Sequence, residues 1–260
     1  MKVVLFCGGL GTRIREYSEA IPKPMIPVGH QPILWHVMQY YSHYGHRDFI
    51  LCLGYKANVV KEFFLNYRPH VYADCTVSGG HVQLLAPQEE DWRVTLIDTG
   101  MWRNIGERLW AVRDYVKDEE IFLANYSDGL SDVDLEDMLA RFKKSGKLAC
   151  FLAVRPPLTY HLVYMDDDGA VREMRAWDRD EIWINGGYFL LRPEIFDYMK
   201  EGEELVIEPF QRLAQANQLM AYKHRGFWRS MDTLKDRQVL EDMVEQGKMP
   251  WRLGNGLTKK

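Results

Sequence analysis

A glycine-rich segment with two nearby cations is the clearest chemical signal in the sequence. The run Gly8-Gly9-Leu10-Gly11-Thr12-Arg13 follows the apolar residues 3–7, and Lys23 stands between two prolines. Glycine tolerates unusual dihedral angles and lets backbone N–H groups approach a phosphate closely. Arg13 and Lys23 could neutralise a triphosphate and a leaving pyrophosphate, and the flanking prolines restrict the direction of Lys23. The segment therefore indicates a polyphosphate site, with a tight turn carrying solvated charges as the alternative.

Two common phosphate-binding loops do not match this segment. The chain after Gly8 lacks the Gly-Lys-Ser/Thr ending of a Walker A loop, and Ile14 stands where a dinucleotide-binding loop has glycine or alanine. The second predicted strand, residues 49–53, also ends without the acidic residue that would hold a ribose. These differences argue against a nicotinamide oxidoreductase.

Asp128 is the first candidate ligand for a divalent metal ion. It follows the predicted strand 121–124, and the strand ends of an open parallel sheet face its binding crevice. Magnesium typically takes one or two carboxylates together with phosphates and waters. A simple Asp-Gly turn without chemistry is the alternative interpretation of Asp128.

Several motifs together resemble a known enzyme family. The glycine run with Lys23-Pro24-Met25 resembles the signature of nucleotidyltransferases that make nucleoside-diphosphate sugars from a nucleoside triphosphate and a sugar 1-phosphate. The sequence is similar, from about Met1 to Met243, to the glucose-1-phosphate cytidylyltransferase branch, through segments that include Gln31-Pro32-Ile33-Leu34-Trp35-His36, Gly54-Tyr55-Lys56, Ile184-Asn185-Gly186-Gly187 and Met231-Asp232-Thr233. The resemblance implies Mg²⁺-dependent transfer of CMP from CTP to a phosphorylated acceptor, with release of pyrophosphate. Such chemistry joins two polyanions and depends on cations and alignment more than on a protein base.

The resemblance also implies roles for individual residues. Arg13, Lys23 and Asp128 would be catalytic, and Asp128 and Asp232 would bind Mg²⁺, with a helix cap as the alternative role of Asp232. The implied nucleotide-binding residues are Leu5, Gly8, Gly9, Gly11, Thr12, Arg13, Tyr55, Lys56, Thr99, Gly100 and Arg108. The implied acceptor-binding residues are Lys23, Asn185, Gly186 and Glu208.

Three positions depart from the family pattern. Ser127 precedes Asp128 where the family usually has glycine, and Glu107 precedes Arg108 in place of a second glycine. The family also places a Glu-Lys-Pro motif ahead of Asn185, and its lysine holds the sugar phosphate, whereas residues 174–178 contain no lysine. Arg175 or Arg179 would have to supply that charge, although a planar guanidinium is not a point charge. An acceptor other than glucose 1-phosphate, including a phosphonate, and a non-catalytic nucleotide-binding subunit therefore stay open.

The elements that must position these residues follow from the apolar pattern. Short apolar segments alternate with amphipathic ones, which predicts an α/β fold, a Rossmann-like three-layer α/β/α sandwich with a mostly parallel mixed central sheet. The resemblance implies the GT-A-like form of this fold. Strands are predicted at residues 3–7, 49–53, 121–124 and 148–154, and helices at 33–44, 58–67, 108–115, 134–145, 208–217 and 234–245. Residues 72–98 are interpreted as a small β-rich insertion, and Asp166-Asp167-Asp168-Gly169 as a hairpin turn.

Composition limits the classes of partner. Net charge is -4 and the 33 basic residues are scattered, so we expect neither nucleic acid nor a membrane as partner. The 4 cysteines show no metal-ligand spacing, and we expect a soluble cytoplasmic protein. The expected organisation is one domain over residues 1–250, with a nucleotide-binding half (1–130), an acceptor-binding half (131–250) and a polar tail (251–260). Relatives commonly assemble, which favours a homo-oligomer.

Overall fold

The computed structural model describes residues 1–11, 14, 21–68, 74–85, 91–156, 161–176 and 182–253. Thr12, Arg13 and Arg179, which the sequence singles out, lie outside these ranges. The strands in the described ranges are β1 (Lys2–Phe6), β2 (Pro27–Val28), β3 (Gln31–Pro32), β4 (Asp48–Leu53), β5 (Cys75–Ser78), β6 (His81–Leu84), β7 (Arg93–Asp98), β8 (Phe122–Asn125), β9 (Gly129–Ser131), β10 (Ala149–Val154), β11 (His161–Met165), β12 (Val171–Ala176), β13 (Ile184–Leu191), β14 (Leu219–His224) and β15 (Trp228–Ser230). The α-helices are α1 (Ile33–His43), α2 (Ala57–Leu65), α3 (Ile105–Ala111), α4 (Arg113–Val116), α5 (Leu135–Ser145), α6 (Glu208–Gln215) and α7 (Leu234–Glu245).

The central sheet is mixed and mostly parallel. Its seven strands lie in the order β14-β10-β13-β8-β1-β4-β7. β1 runs parallel to both β4 and β8, β4 runs parallel to β7, and β10 runs parallel to β14. β13 is antiparallel to β8 and to β10. The predicted fold class is confirmed, and the strands of residues 1–130 form one block of the sheet beside the later ones.

Both faces of the sheet are buried, as the continuous apolar character of β1 requires. Val3 and Leu5 pack into the core on the side of α1, α2, α5 and α7, whereas Val4 and Phe6 pack on the side of α3, α4 and α6. Alternate residues of a strand point to opposite faces, so one short apolar segment contributes to two cores. Helices on both sides of the sheet complete the three layers.

The structure corrects the interpretation of residues 72–98. β5 and β6 form an isolated antiparallel hairpin, which is the expected β-rich insertion, but β7 is an edge strand of the main sheet. It pairs in parallel with β4 from Asp48↔Arg93 to Leu53↔Asp98. β7 has no fully buried residue, because an edge strand is covered less than a central one, and its sequence therefore lacks the apolar character that marks β1.

The predicted helix 108–115 is also different in the structure. α3 begins at Ile105, and a second short helix, α4, follows it directly. Asn104 caps α3, because its side-chain oxygen accepts a hydrogen bond from the Glu107 N–H while the Glu107 carboxylate accepts one from the Asn104 N–H. Glu107 is thus a helix-capping residue.

The core reaches beyond residue 250. Trp251, assigned from the sequence to the polar tail, is 2% exposed. Its ring packs against Phe227, and its Nε1–H donates to His36 Nδ1 at 3.3 Å. Residues 254–260 lie outside the described ranges.

Candidate active site

A cavity of about 860 Å³ opens at the strand ends of the central sheet, where an open α/β sheet characteristically binds ligands. It is lined from both blocks of the sheet. The predicted site residues on its wall are Gly9, Gly11, Lys23, Asp128, Asn185, Gly186 and Asp232. The structure therefore brings together residues that lie far apart in the chain.

Lys23 occupies the centre of the charge arrangement. It is the first residue of a short 3-10 turn, Lys23–Met25. Pro22 and Pro24 flank Lys23 and restrict the backbone at this point. Its Nζ donates to Asp128 Oδ2 at 2.5 Å and to Asp232 Oδ1 at 2.8 Å. Burial lowers the pKa of Lys23, but the two carboxylates outweigh burial and leave the pKa above its ordinary value. The ammonium is therefore charged at neutral pH.

Asp128 and Asp232 form a site with the right donors for a hard divalent cation. Their carboxylate oxygens converge on one ammonium nitrogen, which shows that a small cation fits between them. Two carboxylates with room for phosphate and water ligands match the way magnesium is usually held. Within the described ranges, no group of three or more His, Cys, Asp or Glu side chains could hold a metal ion. Asp128 and Asp232 are therefore the described residues that could hold a divalent ion in this cavity.

Asp232 is not the cap of α7. Thr233 is the N-cap, with its hydroxyl accepting from the Asp236 N–H while the Asp236 carboxylate accepts from the Thr233 N–H. Asp232 Oδ2 instead accepts from Ser230 Oγ at 2.8 Å. The Asp232 carboxylate is therefore directed to the cavity and not to the helix.

Ser127 stands in a backbone conformation that favours glycine. Its φ is 65°, which lies in the left-handed region. The Ser127 N–H donates to Asn125 Oδ1 at 2.9 Å, and its Oγ donates to the Phe6 carbonyl at 2.7 Å. These bonds hold the turn that presents Asp128, whereas the left-handed φ explains why glycine suits this position.

The acceptor-side residues Asn185 and Gly186 are held by well-defined contacts. Asn185 Nδ2 donates to the Tyr126 hydroxyl at 3.0 Å, and Asn185 Oδ1 accepts from the Gly187 N–H at 2.9 Å. The Gly186 carbonyl accepts from Trp228 Nε1 at 2.8 Å. These bonds hold the turn, and Asn185 lies on the cavity wall.

Other predicted residues lie beside the cavity or away from it. Leu5 is in the core, and Glu208 is exposed at the start of α6, where its carboxylate accepts from the Glu204 N–H at 3.1 Å. Arg175 lies on the β11–β12 hairpin, 4.6 Å over the Tyr164 ring, and donates to the Tyr164 hydroxyl at 2.9 Å. Arg175 and Glu208 are not among the described residues that line the cavity.

The rest of the predicted nucleotide-binding set surrounds the end of β1. The Tyr55 N–H donates to the Gly8 carbonyl at 3.3 Å, and Lys56 has a left-handed φ of 51° just before α2. The guanidinium of Arg108, which is 2% exposed, donates to groups of Gly8, Thr99 and Gly100. None of these side chains belongs to the described lining of the cavity.

Two cations on the cavity wall, Arg229 and Lys235, are not among the residues that the sequence predicts for the site. Arg229 donates to Asp236 Oδ1 at 3.0 Å, and Lys235 lies in the first turn of α7. Both flank the Met231-Asp232-Thr233 segment. Their closeness in sequence to Asp232, a candidate metal ligand, is the signal that could have identified them. Charged residues beside a predicted helix are usually solvated, so this signal is weak.

Fold and site together define an α/β protein with a cavity at the strand ends of its sheet, whose described lining holds Lys23, Arg229 and Lys235 beside Asp128, Asp232 and Asp236. The chain belongs to the nucleotidyl transferase family, whose model matches residues 2–237. It is 42% identical to glucose-1-phosphate cytidylyltransferase of Salmonella typhi over 256 residues, which cover 97% of this chain and 99% of the relative. It is 37% identical to a probable glucose-1-phosphate cytidylyltransferase of Bacillus subtilis, over 97% of this chain and 100% of the relative.

Solved structures support the same fold. A putative glucose-1-phosphate thymidylyltransferase from Bacillus anthracis superposes with a TM-score of 0.67 at 17% identity, covering 99% of this chain and 98% of that chain. UDP-glucose pyrophosphorylase complexed with UDP-glucose gives a TM-score of 0.67 at 14% identity, covering 95% and 98%. In the described part of this chain, no helix is long and apolar enough to cross a membrane.

Proposed function

We propose that the protein transfers CMP from CTP to a sugar 1-phosphate, forming a CDP-sugar and releasing pyrophosphate. The observation that carries the proposal is the Lys23 ammonium, held between Asp128 and Asp232 in a cavity at the strand ends. The choice of CTP and of a sugar 1-phosphate rests on the cytidylyltransferase relatives, which match this chain along almost its whole length.

In the proposed reaction, an oxygen of the acceptor phosphate attacks the α-phosphorus of CTP. The bond from the α-phosphorus to the bridging oxygen breaks, and pyrophosphate leaves with the electron pair. The acceptor phosphate is already ionised at neutral pH, so the reaction needs no protein base. Lys23, with Arg13, neutralises charge on the reacting phosphates, while the backbone of Gly8, Gly9 and Gly11 and the hydroxyl of Thr12 bind the triphosphate.

Asp128 and Asp232 would hold the Mg²⁺ ion. Bound there, the ion would supply positive charge that screens the two polyanions from each other. The ion would compete with the Lys23 ammonium for these carboxylates, because the ammonium lies between them.

The remaining site residues have proposed roles in recognition. Tyr55 and Lys56 flank the base, and Thr99, Gly100 and Leu5 belong to the scaffold of the base pocket. Asn185 and Gly186 contact the sugar of the acceptor, and Glu208 would contribute if α6 shifts toward it. For the acceptor phosphate, Arg175 stacks on Tyr164 and would have to move, whereas Arg229 and Lys235 already line the cavity.

The direct test is a matrix of the four ribonucleoside triphosphates with several sugar 1-phosphates in the presence of Mg²⁺. We expect pyrophosphate release to be fastest with CTP, and a CDP-sugar to be identified by mass spectrometry. Including sugar phosphonates extends the test to the alternative acceptors. The matched control is Asp128→Asn, which keeps the shape of the side chain and should abolish turnover. No pyrophosphate release anywhere in the matrix would contradict the proposed function.

We further propose that the protein acts in the cytoplasm as a homo-oligomer. Buried thiols at Cys7, Cys52 and Cys150 suit a reducing compartment. Size-exclusion chromatography with light scattering measures the assembly, and a mass of 30.5 kDa at all concentrations would contradict it.

A further inference from the structure

We propose that Arg108 is a positioning residue that orients the glycine loop for the triphosphate through its bond to the Gly8 carbonyl. The inference rests on the proposed function, because it assigns a role within the same nucleotide site. This positioning role is additional to the nucleotide contact that the family resemblance implies for Arg108, since Arg108 would act through the peptide between Gly8 and Gly9.

The guanidinium of Arg108 is committed to protein atoms. Its Nη1 lies 3.0 Å from the Leu53 carbonyl, 2.7 Å from Thr99 Oγ1 and 2.9 Å from the Gly100 carbonyl. Its Nη2 lies 3.0 Å from the Gly8 carbonyl and 3.2 Å from the Met101 carbonyl. The terminal nitrogens of a guanidinium carry four N–H bonds, and these acceptors already face all of them. The protein itself therefore holds both terminal nitrogens of the guanidinium.

The acceptors of Arg108 belong to three neighbouring strand ends. Gly8 follows β1, Leu53 is the last residue of β4, and Thr99 follows β7. These strands lie side by side in the order β1-β4-β7, so one side chain ties together the loops that form the predicted nucleotide half of the site. The planar fork of arginine suits this task, because it donates in several fixed directions at once.

The bond to Gly8 fixes the direction of a potential phosphate ligand. The Gly8 carbonyl accepts from Arg108 Nη2 and also from the Tyr55 N–H. In a planar trans peptide, the next N–H points opposite to the carbonyl. The Gly9 N–H must therefore point away from Arg108, and Gly9 lies on the cavity wall.

Gly8 and Gly54 both pack against the guanidinium of Arg108. A Cβ atom added at Gly8 would lie 2.0 Å from Arg108 Nη1, and one added at Gly54 would lie 2.7 Å from it. Neither distance is sterically possible without displacing the guanidinium. Gly8 is therefore required by Arg108 as well as by any phosphate in the loop.

The test compares nucleotide binding by matched variants, with CTP and Mg²⁺ as the titrant and calorimetry as the readout. Arg108→Lys keeps the charge but not the fork, and Arg108→Met removes both. The control is Arg113→Gln. Arg113, the first residue of α4, donates to the Trp110 carbonyl of α3 at 2.9 Å and not to the glycine loop. Circular dichroism and thermal melting confirm that each variant is folded at the assay temperature.

We expect both Arg108 variants to raise the Kd for CTP about tenfold or more, whereas Arg113→Gln leaves it within about twofold of wild type. The KM for the acceptor should stay unchanged, because the sugar half of the site is untouched. Gly8→Ala should weaken CTP binding similarly. Combining it with Arg108→Met should add little, since both changes act on one peptide.

Three results would overturn the inference. They are unchanged CTP affinity in folded Arg108→Met, full CTP affinity in Arg108→Lys, and additive effects of Gly8→Ala and Arg108→Met. A wild type that binds CTP but forms no product would contradict the proposed function alone, because the binding comparison would still be valid. A wild type that binds no nucleoside triphosphate would contradict both.

Discussion

At the scale of single residues, the site is defined by a lysine that stands where a metal ion is expected. Lys23 bridges two carboxylates that approach from different strands, and its side chain is only 13% exposed. Ser127 is the second informative residue, because it holds a left-handed conformation directly before one of those carboxylates. Each residue leads to a measurable expectation.

Replacing Lys23 by Met should have opposite effects on turnover and on metal binding. Turnover should fall about 100-fold or more, because the reacting phosphates lose a neutralising charge. Binding of Mn²⁺ without nucleotide, measured by electron paramagnetic resonance, should tighten about tenfold, because no ammonium then competes for Asp128 and Asp232. The control is Lys117→Met, since Lys117 pairs with Asp114 on the surface and is not part of the described cavity lining, and both quantities should change by no more than about threefold. Weaker Mn²⁺ binding by Lys23→Met would show that Lys23 does not occupy the metal position.

Ser127→Gly should be more stable than Ser127→Ala by about 1 kcal/mol, as measured by urea unfolding. Both variants lose the bond from Oγ to the Phe6 carbonyl, but only alanine keeps a Cβ in the left-handed region. The Mg²⁺ activation constant of Ser127→Gly should match that of wild type. The reverse order of stabilities would mean that φ at this residue is not strained.

At the scale of elements, the start of α7 joins helix capping to the proposed metal site. Thr233 forms a capping box with Asp236, which leaves the neighbouring Asp232 carboxylate to face the cavity. Asp236 also accepts from Arg229, so the first turn of α7 is tied to β15. The helix end therefore sets the position of Asp232.

Thr233→Ala should lower the free energy of unfolding by about 1 kcal/mol, because the cap to the Asp236 N–H is lost. Thr233→Ser keeps the hydroxyl and should stay close to wild type in the same urea titration. The alanine variant should also need more Mg²⁺ for half-maximal activity, since Asp232 loses its fixed neighbour. Equal Mg²⁺ requirements in the two variants would mean that the Thr233 cap does not affect the proposed metal site.

At the scale of the whole molecule, His36 on α1 joins the segment before the helix to the C-terminal part of the described chain. His36 Nε2–H donates to the Val28 carbonyl at 2.9 Å, and its Nδ1 accepts from Trp251. Burial, together with the nearby charge of Arg252, outweighs the backbone bond and lowers the pKa of His36 to about 4. A proton on Nδ1 would place two donors face to face, so the folded protein requires neutral His36.

The free energy of unfolding should therefore fall as pH drops from about 6.5 toward 4, because the unfolded chain takes up a proton that the folded chain excludes. Urea unfolding at pH 7 and pH 5 measures the effect. The loss between these pH values should be about 2 kcal/mol larger in wild type than in His36→Gln, which does not titrate. His46, whose pKa burial lowers to about 4, contributes equally to both proteins and cancels. Equal losses would mean that His36 does not titrate on unfolding.

The sequence predicts the parts of this molecule that depend on local pattern. The glycine run, Lys23 and Asp128 stand out because strands and turns have short-range signatures. Asp232 follows only from the family resemblance, since nothing local marks it as a ligand. The pairing of Lys23 with Asp232, 209 residues away, depends on the whole sheet being assembled. The destination of the Arg108 guanidinium and the direction of β7 are likewise tertiary outcomes, which explains why the sequence left them open or gave them wrongly.

The strand order also has a consequence for synthesis on the ribosome. β1 precedes the other described strands in the chain, yet it is an interior strand whose partners are β4 and β8. Its register pairs Val3 with Phe49 and with Leu123, so one edge of β1 can pair once β4 has been made, whereas the other edge stays open until β8 has been made. Such long-range pairing slows folding and exposes an apolar strand to aggregation. We therefore expect the nascent chain to depend on chaperones until β8 is translated.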